Sequence, residues 1–277
     1  MFFSFVHTIK VYSIIKKKIM QIRNKIVIIT GGANGIGAAL ARRLASEGAQ
    51  VVIGDIDGKS GQKLINELNQ NYKINAAFVF CDVTNFDHLY QLFDTVQNTF
   101  GGIDIVCNNA GIGQFGEFYD QTDNWIKTID TNLNAVIKGT QLGIQFLKKR
   151  GGGVIINTAS LAGIYPAKFL PIYSAAKHGV IGFTKSLCEL NDTDNIRVNA
   201  VAPGFVDTHL VQNISKIMPK IAQSVEKLGL IPMDEVINAY ITIIQDDKLM
   251  GDTIMIPNKN NSQIISKSFV EDLKPCD

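Results

Sequence analysis

The chain of 277 residues is 46% hydrophobic and 19% charged, with a net charge of +2. Its length lies at the upper edge of one domain, because cores tend to split beyond roughly 250–300 residues, and its apolar content excludes intrinsic disorder. The near-neutral balance gives no basic footprint for nucleic acid, and no run reaches the ~18–20 uninterrupted apolar residues of a membrane span.

Residues 1–22 read as a leader, disordered or non-native, with Met20 as the expected start. Phe2, Phe3, Phe5 and Val6 precede Lys10 and Lys16-Lys17-Lys18, the reverse of a secretory signal, which places its positive charge first. A mitochondrial presequence is Arg-rich, and no Arg precedes Arg23; mitochondrial targeting stands as the alternative to a cytoplasmic chain. From Lys25 onward strand-like and helix-like segments alternate. Lys25–Thr30 is a β-branched apolar run of the kind that is buried on both faces of a parallel sheet. Ile36–Glu47 follows as a helix, with Ile36, Leu40 and Leu44 on one face and Gly48 as its stop. Gln50–Asp55 is the second strand, Lys59–Asn71 a helix, and Ala76–Phe80 the third strand.

Thr84 and Asp87 read as an N-cap and its partner three residues on, opening a helix that turns Leu89, Leu92, Phe93 and Val96 inward. Ile103–Cys107 is the fourth strand, Asp123–Lys149 a long helix, and Val154–Thr158 the fifth strand. Ile172–Leu190 is another helix, Arg197–Val201 the sixth strand and Thr253–Ile256 the seventh. This alternation predicts an α/β fold over residues 23–257: a single-domain, Rossmann-type doubly wound parallel sheet of about seven strands with helices on both faces. Residues 258–277 are polar and predict a loose tail.

Cys81, Cys107, Cys188 and Cys276 are far apart, with no C-x-x-C, and no histidine pair has metal spacing. No metal site is expected. Three of the four cysteines read as reduced core thiols, which points to a reducing, cytoplasmic compartment.

The turn Thr30-Gly31-Gly32-Ala33-Asn34-Gly35-Ile36-Gly37 joins the first strand to the first helix. Glycines there permit a tight turn and close approach of backbone N–H groups to a pyrophosphate. The helix N-terminus adds about half an elementary positive charge. Asp55 ends the second strand, 18 residues past Gly37, with Ile56 directly after it. A carboxylate at that point can accept from an adenosine ribose 2′-OH and repels a 2′-phosphate. NAD is therefore favoured over NADP.

Tyr173 and Lys177 are four residues apart on a predicted helix, which places them on one face. A free phenol, with a pKa of about 10, is too weak a base at neutral pH. A neighbouring ammonium favours the phenolate, so the pair suits removal of an alcohol proton. Ser160 follows the fifth strand, at the end of the sheet where ligands sit in open α/β folds, and lies 13 residues before Tyr173.

The motif Thr30-Gly-x-x-x-Gly-x-Gly37, Asn108-Asn109-Ala110-Gly111, Asn132, Ser160, Tyr173-x-x-x-Lys177 and Pro203-Gly204 together resemble the short-chain dehydrogenase/reductase family, in order and spacing, from about Met20 to Pro257. The resemblance implies a catalytic set of Asn132, Ser160, Tyr173 and Lys177. Tyr173 would be the acid/base. Lys177 would lower its pKa and bond the nicotinamide ribose. Ser160 would orient the substrate oxygen, and Asn132 would hold a water in a proton relay through Lys177. It further implies cofactor contacts from Gly31, Asn34, Gly35, Ile36, Gly37, Asp55, Ile56, Asp82, Val83, Asn109, Ala110, Gly111, Tyr173, Lys177, Pro203, Val206 and Thr208. The family's usual homodimer or homotetramer is implied through the helices that carry Trp125 and Tyr173.

Three segments are expected to shape the substrate pocket: 112–119, 161–170 and 205–233. The last carries Leu210, Val211, Ile214, Ile217, Met218, Ile221, Val225 and Leu228 at helical spacing, which fits either a lid over an apolar alcohol or ketone or a helix packed on the core. Ser160-Leu-Ala-Gly163, Tyr173 to Thr184, Pro203-Gly-Phe-Val206 and Ile244 to Gly251 resemble the 15-hydroxyprostaglandin dehydrogenase and insect-type alcohol dehydrogenase subgroup. That resemblance implies a glutamine just before Pro171, where this chain has Leu170. Three functions remain open: an NAD-dependent secondary-alcohol dehydrogenase, a dinucleotide-sensing or scaffold protein on the same fold, and an NADPH ketoreductase. Ser160, Tyr173 and Lys177 favour an enzyme, and Asp55 weighs against NADPH.

Overall fold

The apolar run Ile26–Thr30 forms β1, every residue of which is buried. A computed structural model of the chain describes residues 20–114, 118 and 123–265. Around β1 the elements follow the predicted alternation: α1 (Gly35–Ser46), β2 (Gln50–Asp55), α2 (Gly58–Tyr72), β3 (Ala77–Phe80), α3 (Phe86–Phe100), β4 (Ile105–Asn108) and α4 (Asn124–Ile129). A π-turn over Asp130–Asn134 links α4 to α5 (Ala135–Arg150). Then come β5 (Gly153–Thr158), α6 (Pro171–Lys185), α7 (Leu190–Asp194), β6 (Ile196–Pro203), α8 (His209–Ile217), α9 (Pro219–Leu228), α10 (Met233–Gln245), β7 (Thr253–Asn258) and β8 (Asn261–Ile265).

The strand order is β3-β2-β1-β4-β5-β6-β7-β8. All neighbouring pairs are parallel except the last, β7 with β8. The order reverses between β1 and β4. Open α/β sheets hold their ligands outside the strands' carboxyl ends at such a point.

Side chains alternate across β1. Val27 and Ile29 face a core with Leu40 and Leu44 of α1 and Tyr240 of α10. Ile28 faces the opposite core, with Leu92 and Phe93 of α3 and Phe146 of α5. The period of two along a strand puts successive residues on opposite faces, so a continuously apolar strand needs helices on both sides. Each fully buried aliphatic side chain contributes about 1.5–3 kcal/mol.

Several details differ from the sequence expectations. There is an eighth strand where a loose tail was expected: Asn261–Ile265 folds back antiparallel onto β7. Met20–Ile22 is not wholly leader, because Ile22 packs into the core beside α1; residues 1–19 lie outside the described residues, as do Cys276 and the remainder of the tail after Ile265. The cap of α3 is Asn85, which accepts from the N–H groups of Asp87 and His88. Thr84 is drawn the other way, donating its hydroxyl and its N–H to Asp82. The long helix over 123–149 is interrupted by the π-turn, and the helix from 172 ends at Lys185. Among the described residues no helix is long and apolar enough to cross a membrane, and no cluster of three or more metal-ligating side chains occurs.

Candidate active site

The glycine turn between β1 and α1 is held from outside by Asn109. Its amide Nδ2 donates to the carbonyls of Thr30 (3.1 Å) and Gly31 (3.0 Å). In return, the Thr30 hydroxyl accepts from the N–H groups of Asn109 (3.0 Å) and Ala110 (3.2 Å). Gly31 has φ +63°, and a Cβ on it would lie 2.7 Å from the Ala110 Cα. A Cβ on Gly37 would collide with the Gly31 carbonyl oxygen. The turn is thus tight enough to require glycine at both positions. No side chain caps α1, and its first turn carries no acidic residue, so the positive end of the helix is left to whatever enters the cavity. The residues present fit a dinucleotide pyrophosphate.

Asp55, at the end of β2, accepts from the Ala33 N–H (2.9 Å) and the Asp57 N–H (3.0 Å). That ties the strand end to the glycine turn. Asp57 caps α2 and accepts from Asn34 Nδ2 (3.0 Å). Hydrogen bonds from Ser60, with a further one from Asn34, hold its carboxyl down to about 2. The Thr84 hydrogen bonds likewise hold Asp82 below the usual carboxylate range. One end of the cavity is therefore rich in fixed negative charge.

The other half of the chemistry sits on α6 and the ends of β4 and β5. Lys177 is 2% exposed, and its Nζ donates to the Thr158 carbonyl at 2.7 Å. Burial lowers it to about 8, which leaves it mostly charged at neutral pH. The same Nζ lies 5.7 Å from the centre of the Tyr173 ring. Burial pushes the Tyr173 phenol up, and the neighbouring Ser160 side chain pulls it down. The net direction is upward, because desolvation outweighs the Ser160 contribution. Ser160 also accepts from the Ala162 N–H (3.2 Å), opening the short 3-10 turn Leu161–Gly163.

Asn132 is fully buried within the π-turn. Its Oδ1 accepts from the Ile112 N–H (3.1 Å), and its Nδ2 donates to the carbonyls of Ile112 (2.9 Å) and Thr128 (3.0 Å). Both amide hydrogens are committed, so a relay water can meet this side chain only at Oδ1. Gly111 keeps the space beside it open: a Cβ there would lie 2.9 Å from Asn132 Oδ1 and 3.9 Å from Lys177 Nζ.

A cavity of about 890 Å³ joins these parts. It is lined by Gly31, Asn34, Gly35, Ile36, Asp55, Ile56, Asp82 and Val83 at the dinucleotide end, by Asn109, Ala110, Gly111, Asn132, Ser160, Tyr173 and Lys177 in the middle, and by Pro203, Val206 and Thr208 on the α8 side. Gly37 is the one expected contact outside the lining; it stands behind the turn. Thr208 caps α8 by accepting from the Val211 N–H (3.4 Å) and donates to the Val206 carbonyl (3.3 Å).

A family model described as short chain dehydrogenase matches residues 25–218. The chain belongs to the short-chain dehydrogenase/reductase family. It is 36% identical over 247 residues to 15-hydroxyprostaglandin dehydrogenase (NAD(+)) from Bos taurus, across 84% of this chain and 90% of that one. It is 33% identical over 232 residues to 3alpha-hydroxysteroid dehydrogenase from Mediterraneibacter gnavus, across 82% and 92%. Among solved structures, L-sorbose reductase from Gluconobacter frateurii, complexed with NADPH and L-sorbose, matches with a TM-score of 0.77 at 25% identity, over 86% of this chain and 97% of that one. A short-chain type dehydrogenase/reductase from Mycobacterium marinum matches with a TM-score of 0.78 at 28% identity, over 85% and 95%.

In this dehydrogenase/reductase the apolar stretch after Phe205 is two helices, α8 and α9, broken at Met218–Pro219. Ile214 and Ile221, one from each, are buried against Leu170, with Tyr173, Phe205 and Val225 packed around them. The stretch both lines the cavity and packs into a core, with Leu170 standing where the subgroup resemblance implies an amide. Sequence reasoning missed Thr131 and Asn258 in the cavity wall; Lys168, His209 and Ser224 lie in the segments expected to shape the pocket, without having been singled out there. No local pattern marks them. Asn258 reaches the wall through the hairpin that leads into β8.

Proposed function

We propose that this chain oxidises a secondary alcohol to a ketone, or runs the reverse reaction, with NAD as cofactor and Tyr173 as acid/base. The observation that carries the reading is the convergence of Ser160, Tyr173 and Lys177 in one cavity whose far end is closed by Asp55. The glycine turn and the uncapped start of α1 would hold the pyrophosphate, and Asp55 would accept from the adenosine ribose. When bound, the nicotinamide supplies hydride acceptance from the carbinol carbon.

The chain's own residues supply placement and proton handling. The Ser160 hydroxyl, in the same cavity wall as Tyr173, orients the substrate oxygen. Tyr173 takes the alcohol proton as phenolate, or returns it as phenol in reduction. The Lys177 ammonium, anchored on the Thr158 carbonyl, stabilises the phenolate across the short gap between them and holds the nicotinamide ribose. The lid residues Ile214 and Ile221, with Leu170, exclude water and favour an apolar substrate. A prostaglandin or hydroxysteroid fits this description as a class, in line with the names of the relatives.

NADPH reduction is the second reading, in view of the NADPH-bound structural relative; the carboxylate of Asp55 weighs against it. The buried thiols of Cys81 and Cys107 support a reducing, cytoplasmic compartment. Trp125, Ile126 and Ile137, apolar and exposed on α4 and α5, support a homodimer or homotetramer. A panel of secondary alcohols of increasing apolar size, offered with NAD and with NADP and followed by absorbance of the reduced cofactor, tests the reading. Turnover with NAD that improves with apolar size is the expected result; turnover with NADP alone contradicts it.

A further inference from the structure

Helix α6, which carries Tyr173 and Lys177, starts without a cap of its own. Leu170 offers no side-chain acceptor, and Pro171 has no N–H to satisfy. The Ser174 N–H makes the first intrahelical bond, to the Leu170 carbonyl at 2.8 Å. Two orphan donors are left in the first turn, the N–H groups of Ile172 and Tyr173. A single atom accepts both: Gln114 Oε1, at 2.9 Å from the first and 3.3 Å from the second.

Gln114 comes from far away in sequence, 59 residues before Tyr173, and is 3% exposed. It lies two residues after Ile112, whose N–H and carbonyl are both gripped by Asn132. The π-turn, the segment after β4 and the start of α6 therefore form one hydrogen-bonded frame. Leu170 shows why the cap is supplied from outside. It is buried against Ile214 and Ile221 under the lid, and a polar cap at that position would face an apolar cluster.

We propose that Gln114 is a positioning residue for the acid/base, an external cap of α6 that holds the Tyr173 phenol against Ser160. This rests on the reading of Tyr173 given above. Without the cap, two half-buried N–H groups lose their acceptor, the first turn of α6 relaxes, and the phenol moves away from Ser160. A neutral amide suits the task. It satisfies the helix donors without bringing a negative charge near the phenol, where it would disfavour the phenolate.

The test compares Gln114→Met, which keeps the bulk and loses the acceptor, with Gln114→Glu, which keeps an oxygen at the same reach. The readouts are kcat, KM for alcohol and for NAD, and Tyr173 ionisation, followed at the tyrosinate band as the difference from Tyr173→Phe. For Gln114→Met, kcat falls about 10–100-fold, the scale of a small misplacement of a reacting group, with both KM values little changed and Tyr173 ionising at higher pH. Gln114→Glu recovers most of kcat, with its pH profile displaced upward. Wild-type kcat and wild-type Tyr173 ionisation in folded Gln114→Met overturn the proposal, and so does a loss that Gln114→Glu leaves unrepaired. Should Gln114→Met not fold, Gln114→Asn, whose shorter arm withdraws the acceptor, is read in the same way. Tyr173→Phe with turnover intact refutes the acid/base reading instead, while amide exchange at Ile172 and Tyr173 still reports whether Gln114 caps the helix.

Discussion

Replacing Asp55 by asparagine isolates cofactor choice. The carboxylate accepts from the N–H groups of Ala33 and Asp57, at 2.9 and 3.0 Å. Asparagine keeps one acceptor and turns the other into a donor, so one N–H loses its partner. The stability cost is about 1–3 kcal/mol, toward the lower end because Asp55 is only half-buried. The effect on cofactor is larger. A ribose hydroxyl donating to a charged carboxylate contributes about 1.5–3 kcal/mol, and a neutral amide recovers roughly half of that. Two unit charges about 4 Å apart near a protein surface repel by about 4 kcal/mol, and the asparagine variant removes that penalty for a 2′-phosphate. Together these lower the preference for NAD over NADP by a factor on the order of 100 or more, since each ~1.4 kcal/mol is tenfold. The assay is kcat/KM for NAD and for NADP with one secondary alcohol, with urea unfolding as the control for folding. A cofactor ratio that stays within about threefold of wild type, in a folded variant, refutes the assignment of Asp55 to the ribose.

Three further outcomes follow from the same geometry. Alcohol oxidation rises with pH as Tyr173 loses its proton and ketone reduction falls, because one direction uses the phenolate and the other the phenol; parallel pH–rate profiles contradict a shared acid/base. Lys177 is lowered by burial from 10.5 to about 8, so between those values the unfolded chain holds a proton that the folded chain has released. Relative to Lys177→Met, wild-type stability therefore rises across that window, by up to about 3 kcal/mol; urea midpoints at its two ends that move together in both proteins contradict this. Arg197, 6% exposed, donates to the carbonyls of Ile243, Ile244, Asp246 and Leu249 around the end of α10. Arg197→Met leaves these acceptors without their donor at about 1–3 kcal/mol each before relaxation, so Tm drops by many degrees while kcat per folded molecule holds; an unchanged Tm contradicts the capping role.

What the sequence reveals is what is local. The β-branched run of β1, the glycines that follow it, Asp55 at the strand end and the four-residue step from Tyr173 to Lys177 are each short patterns with one dominant physical cause. Ser160 and Asn132 carry little local signal, and only the order of several motifs makes them legible. β8 escapes because Ser262 and Gln263 are exposed on an edge strand, so no alternation of apolar residues betrays it. The cap of α3 escapes for the opposite reason: Thr84, Asn85 and Asp87 can all cap, and Asp82 decides the contest by binding Thr84. Gln114 has no sequence signature, since its role exists only once two segments far apart in the chain are brought together. The ionisation of Tyr173 depends on tertiary detail that no local pattern carries, because burial of the phenol pushes it up.

The most direct measurement is turnover of a secondary alcohol by Tyr173→Phe, with NADH binding followed by fluorescence on the same sample. Loss of the phenolic oxygen removes the proton acceptor and leaves the glycine turn, Asp55 and Lys177 in place. The account predicts binding within a few-fold of wild type and turnover below about 1% of it, at the scale of general acid–base catalysis. Turnover above about 10% of wild type, with binding intact, contradicts it.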